Sequence, residues 1–95
     1  MTSKERAYLK GLASTQDVIL HVGKSSITPE IVLAIQEALE ARELIKIGVL
    51  KNCADDPKEI AEIVSERTHS QVVQVIGKKI ILYKKSKDHP KIFAN

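Results

Sequence analysis

Cysteine is almost missing from this chain of 95 residues, and the lone Cys53 can build neither a disulfide framework nor a thiolate zinc site, since both need several sulfurs at set spacing. A reducing compartment follows as the expectation. Tryptophan is absent, and two tyrosines with one phenylalanine are too few for the stacked aromatic platform with which some RNA-binding domains read bases. Tyr83, between Leu82 and Lys84, is therefore expected to pack. No stretch reaches the ~18 apolar residues of a bilayer-spanning helix. Lys4, Glu5, Arg6 and Lys10 interrupt the N-terminal segment, which argues against a signal peptide. The expectation is a soluble cytoplasmic protein without membrane contact.

What is present suits one small domain: 43% hydrophobic and 28% charged residues support a single core, and dividing 95 residues would leave two halves too small to fold unaided. Residues 1–95 are thus read as one domain with an ordered core at about 3–85 and a polar, fraying tail at 86–95. The net charge is only +3, but its signs are segregated. From Ile76 onward six lysines (Lys78, Lys79, Lys84, Lys85, Lys87, Lys91) face Asp88 alone, whereas Thr28–Glu43 and Asp55–Glu66 are acidic. Such polarity can turn one positive face toward a polyanion while acidic faces point away. A merely solvated lysine surface would give the same pattern.

Periodicity supplies the elements. Ser3–Leu12 reads as a helix capped by Ser3, with Tyr8, Leu9 and Leu12 on its apolar stripe. Val18–Val22 reads as a strand with Val18, Leu20 and Val22 on one side and Ile19 and His21 on the other. Thr28 followed by Pro29 opens the strongest helix, running to Glu43 with Ile31, Val32, Ile35, Ala38 and Leu39 on one stripe. Leu44–Leu50 then switches to period two, with Ile45, Ile47 and Val49 opposite Leu44, Lys46, Gly48 and Leu50. Asp55 or Asp56 before Pro57 caps a third helix ending near Thr68, with Ile60, Ile63, Val64 and Arg67 as its stripe. Gln71–Ile76 and Lys79–Tyr83, separated by Gly77 and Lys78, read as a tight antiparallel hairpin. The α-β-α-β-α-β-β order predicts an α/β fold: a four-stranded mixed sheet with helices mainly on one face, the other partly open, and Lys46 looking outward.

Chemistry concentrates in Gly23-Lys24-Ser25-Ser26-Ile27-Thr28. A short loop of small residues running into a helix N-terminus offers free amides, a positive dipole end, hydroxyls and an ammonium, all suited to a phosphodiester oxygen. An ordinary turn that only satisfies the helix end would look similar. A nucleotide-binding P-loop is excluded, because Val18 stands where its first glycine is required. No catalytic constellation assembles: Cys53 has no histidine partner in view, and His21, His69 and His89 match no metal spacing. Cys53 is read as an inert, partly buried thiol and His21 as a surface residue beside the loop. A non-enzymatic binding module without cofactor or metal is the expectation, its alternative a protein-interaction module lacking RNA affinity. Duplex DNA suits the chain less, since only the short first helix has a basic face.

Three segments in order then point to a family. Gly-Lys-x-x-Ile-Thr (Gly23 to Thr28), Ala-Arg-Glu-Leu-Ile-Lys (Ala41 to Lys46), and Val-Gln-Val-Ile-Gly-Lys with Leu-Tyr-Lys (Val73 to Lys78, Leu82 to Lys84) closely resemble the CRM domain, for chloroplast RNA splicing and ribosome maturation, in its stand-alone bacterial YhbY-like form. The resemblance runs from Arg6 to about Lys85. It implies a fold similar to the C-terminal domain of a bacterial translation initiation factor, RNA binding, and association with ribosomal RNA or precursors of the large ribosomal subunit; a monomer is the separate expectation for the chain. The family loop is written Gly-x-x-Gly, likened to the KH-domain clamp on the RNA backbone; Ser26 here replaces its last glycine and has to adopt a positive backbone angle at some cost. The expected RNA-binding set is Gly23, Lys24, Ser25, Ser26 and Thr28 of the loop, extended by Lys46, Lys78, Lys79, Lys84 and Lys85 and by Arg6 and Lys10 of the first helix.

Overall fold

Thr2 starts the first helix one residue ahead of the expected Ser3. Its hydroxyl accepts the Glu5 amide at 3.0 Å while the Glu5 carboxylate accepts the Thr2 amide at 2.9 Å, so two of the orphan donors of a helix end are satisfied reciprocally. The computed structural model describes residues 1–93, in the order α1 (Ser3–Ala13), β1 (Val18–Val22), α2 (Pro29–Arg42), β2 (Leu44–Val49), α3 (Pro57–Thr68), β3 (Gln71–Ile76) and β4 (Lys79–Tyr83). Thr28 caps α2 and Asp56 caps α3, each followed by proline at the first helical turn. No helix among the described residues is long and apolar enough to cross a membrane.

The expected four-stranded mixed sheet forms, in the order β1-β2-β4-β3. β1 and β2 pair in parallel across the α2 crossover, while β4 turns back from β3 and inserts between it and β2, antiparallel to both. α2 and α3 share one face. There Ile35 and Leu39 of α2 and Ile60, Ala61 and Val64 of α3 bury against Val22, Ile45, Ile47, Val49, Ile80 and Leu82. α1 lies on the opposite face, where Leu9 and Ala13 cover only the end of the sheet bearing Leu44, Val73, Ile81 and Tyr83. Tyr83 packs in this smaller core, as expected, and is 8% exposed.

Several side chains differ from the periodic reading. Tyr8 stands out to solvent, leaving Leu9 and Ala13 as the buried pair of α1, and on α3 Ile63 and Arg67 are exposed while Ala61 and Thr68 join the buried stripe. In β1 a register irregularity between Val18 and Leu20 breaks simple alternation: Leu20 and Val22 stay with the main core, Ile19 joins them, and Val18 moves to the far face beside Gly48. A like irregularity between Val72 and Gln74 sends Val72 and Val75 to the main core and leaves Gln74 on the face of α1.

The tail expected to fray is instead held as far as Phe93; Ala94 and Asn95, the rest of that expectation, lie outside the described residues. The agent is Glu43, a fully buried carboxylate at the C-terminus of α2. One oxygen accepts the Ser86 amide at 2.8 Å, and the other accepts those of Lys91 and Ile92 at 2.7 and 2.9 Å. Glu40, one helical turn earlier, accepts the Ser86 hydroxyl at 2.7 Å. Burial opposes charge on Glu43, but the amides of Ser86, Ile92 and Lys91, with Lys85 nearby, outweigh it and hold the carboxyl below its ordinary value. The backbone of Glu43 is left-handed, φ 66°, where a helix end would ordinarily favour glycine. The tail contacts are what a glycine could not supply.

Candidate functional site

The register defines two ends of the sheet. Val22 pairs with Val49 and Gly48 with Lys79, so the loop after β1, the segment after β2 and the β3–β4 hairpin share one end. Leu44 pairs with Tyr83 at the other, where the tail and the N-terminal part of α1 gather.

At the first end, loop 23–28 is a closed turn in which the Ser26 amide donates to the Gly23 carbonyl at 2.9 Å. Ser26 adopts φ 55°, the left-handed angle expected of a residue standing in a glycine position. Its hydroxyl donates to the Asp55 carboxylate, which ties the strained residue to the start of α3. Ile27 anchors the loop in the main core, and Thr28 is committed to its cap, accepting the Ile31 amide at 3.1 Å. Lys24 and Ser25 are left at the exposed tip. Gly23 has no positive φ, and a Cβ there would touch Leu50 at an ordinary 3.4 Å, so its backbone does not itself demand glycine.

On the opposite face of the sheet, which carries α1, part of the surface is open. A groove there is floored by Ile81 and Ile76 and ringed by Lys10, Lys46 and Lys79, with Ser14 and Gln74 between the cations. Lys10 and Ser14 are one turn apart on α1, so both lean over the same edge. Toward β1 the surface continues through exposed His21, whose ring lies over Gly48: a Cβ at Gly48 would come within 3.0 Å of His21 Cδ2 and 3.2 Å of Val18 Cγ1. Glycine at this position leaves room for the imidazole against the strand. Lys78 is exposed on the adjoining hairpin and gives its carbonyl to the Val49 amide.

The loop residues Gly23, Lys24, Ser25, Ser26 and Thr28 therefore share an end of the sheet with Lys78 and Lys79, while Lys10 and Lys46 meet Lys79 in the groove, Lys46 from the level of Val18 and Ile81 further along the sheet. The other three expected cations stand apart. The Lys84 ammonium donates to the Thr68 carbonyl at 3.1 Å, closing the C-terminus of α3. Lys85 lies beyond Tyr83 at the opposite end, beside Met1 and Phe93. The Arg6 guanidinium donates to the Val72 and Val73 carbonyls, both at 2.7 Å, where the irregularity of β3 leaves them available. Sequence periodicity did not single out Gln74 or Ser14. A polar residue inside the apolar run Val72–Ile76 was the available signal for Gln74, but its face depends on the strand irregularity.

Comparison with known proteins agrees with this architecture. The family model of the CRS1 / YhbY (CRM) domain matches residues 1–84. The chain is 42% identical over 92 residues to the Probable RNA-binding protein YqeI of Bacillus subtilis strain 168, covering 97% of this chain and 96% of that protein. It is 28% identical over 88 residues to a protein of Haemophilus influenzae named RNA-binding protein, covering 93% and 89%. The solution structure of a hypothetical protein from Staphylococcus aureus matches with a TM-score of 0.79 at 46% identity, over 94% of this chain and 93% of that one.

Proposed function

The chain belongs to the CRS1 / YhbY (CRM) domain family, and from that premise we propose that it binds RNA through loop 23–28, the hairpin cations Lys78 and Lys79, and the groove of Lys10 and Lys46. The observation that carries the reading is that cations from α1, β2 and β4 (Lys10, Lys46, Lys79) line one open groove, whose Lys79 belongs to the hairpin at the same end of the sheet as Lys24. The names of the relatives support the ligand class. Phosphate is the group recognised, by ammonium groups and by the amides of the turn at the α2 N-terminus. Such contacts orient an RNA without reading its bases, so sequence preference is weak. Arg6 and Lys84 are held at backbone carbonyls away from the groove and contribute less.

With about five cations on phosphates, the logarithmic dependence of affinity on salt has a slope on the order of −4, and Lys24→Ala shallows it by roughly one. Filter or anisotropy titrations between low and physiological salt test this; a slope near zero removes the reading. Asp55 sets a limit on the loop. Its carboxylate lies hydrogen-bonded to Ser26 beside the proposed phosphate contacts, and repulsion between like charges some 4 Å apart in water amounts to about 1 kcal/mol. Asp55→Asn keeps an acceptor for Ser26 and removes the charge, so RNA affinity is expected to rise about fivefold at low salt. An unchanged or weakened affinity places the phosphates away from this loop.

In the cell the ligand we propose is ribosomal RNA in precursors of the large ribosomal subunit, making the protein an assembly factor. Crosslinking followed by sequencing of the bound RNA tests it; recovery of random messages in place of ribosomal RNA ends the assembly role.

A further inference from the structure

The chain has two tyrosines and one phenylalanine, and folding brings all three together at the end of the sheet away from the loop. Phe93 lies between the tyrosines, its ring centroid 5.9 Å from that of Tyr8 and 5.7 Å from that of Tyr83. Tyr83 is 8% exposed, but Tyr8 is 53% exposed, although it belongs to a helix with a core to cover. A shallow groove at Tyr8 is walled by Ile92, Phe93 and Lys4, with Glu5 at its rim; on the other side of Phe93 a second groove carries Lys85. Glu5 lines both grooves, and its carboxylate, which accepts the Thr2 amide, keeps its charge there, so the adjoining phosphates have to lie on the lysine sides. Phe93 is present in this cluster because Glu43 seizes the amides of Lys91 and Ile92, a device that the proposed phosphate contacts do not use.

We infer that Tyr8, backed by Phe93, stacks an unpaired base of the bound RNA, with Lys4 and Lys85 flanking the site for the adjoining phosphates. This rests on the RNA-binding reading and adds to it a preference for single-stranded segments. Tyr8 is half exposed and its ring is in tilted contact with Phe93, at 50°, so ring surface is open to a base, and stacking is tolerant of base identity because every base has a π-face. The flanking lysines favour a nucleotide over an apolar peptide as the occupant. α1 links the two regions: Lys10 at the groove and Tyr8 at the aromatic cluster are two residues apart on a helix about 10 Å across, so a single strand a few nucleotides long that crosses it reaches both.

The absence of tryptophan makes the test direct, since tyrosine emission is the intrinsic signal and Tyr8 is the accessible tyrosine. A single-stranded oligouridylate is expected to quench that emission, and an abasic oligonucleotide of the same length and charge to bind without quenching. Tyr8→Ala is expected to weaken oligouridylate binding about tenfold while leaving the salt slope unchanged, and Tyr8→Phe to retain the affinity. Equal affinity of Tyr8→Ala and the parent, or equal quenching by the abasic strand, overturns the inference. A steep salt slope combined with either result overturns the stacking site alone; failure of the parent to bind any RNA overturns the RNA-binding reading with it.

Discussion

Glu43→Ala is expected to lower the unfolding free energy by about 3 kcal/mol, a large part of the roughly 5–15 kcal/mol that holds a small domain together. The carboxylate is fully buried and is the acceptor for the amides of Ser86, Lys91 and Ile92. Truncation leaves those donors without a partner, and each such loss costs about 1–3 kcal/mol unless water reaches the group. The tail is then expected to peel away and admit water, limiting the sum, but Ile92 and Phe93 lose their packing on the smaller core. In a domain of this size the change corresponds to a fall in melting temperature of about 15 °C. Urea unfolding followed by circular dichroism measures it, and a loss below about 1 kcal/mol would show that the tail contributes nothing to the fold.

The same carboxylate makes stability depend on acid. Its folded pKa lies below the ordinary 4.5, so between the two values the unfolded chain binds more protons than the native one. The contribution is therefore complete above about pH 4.5 and is lost as pH falls through the folded value. Glu43→Gln removes this component, so the variant loses less stability than the parent between pH 7 and acid. Parallel unfolding curves at the two pH values test the point, and an identical acid loss in both proteins would assign the dependence to other carboxylates.

The second large effect concerns the groove. Replacing Lys10, Lys46 and Lys79 together by glutamine is expected to weaken RNA binding by about 100- to 1,000-fold near 0.1 M salt and to shallow the salt slope by about two. The side chains line an open groove, so the fold should survive their neutralisation. A control with the same loss of charge is Arg67, Lys84 and Lys87 to glutamine, at the other end of the sheet. It is expected to change affinity less than tenfold, through long-range charge alone. If both triple variants weaken binding equally, net charge and not the groove governs affinity.

Much of this architecture was legible in the chain. Thr28-Pro29 and Asp56-Pro57 mark helix starts because proline fits the first turn and the preceding side chain caps it. The hairpin bounds follow from Gly77, which takes the positive angle the turn demands, φ 55°. The loop before α2 was likewise readable, down to the left-handed angle of Ser26. The faces of β1 and β3 were less so. One irregularity in each strand changes which residues alternate inward, and such a shift arises from pairing with a neighbouring strand. The lysines show the same limit: Lys78 and Lys79 reach the loop end while Lys84 and Lys85 belong to the other, although all four lie within eight residues.

By itself, then, the chain determined its local elements, their order and a loop suited to an anion, because caps, prolines, glycines and periodicity act over a few residues. Tertiary structure alone decided which cations share a surface, which aromatic rings meet, and that a buried glutamate would gather the tail. Those outcomes depend on β4 entering between β2 and β3 and on α1 crossing only part of the sheet, contacts between segments far apart in sequence whose register no local pattern encodes.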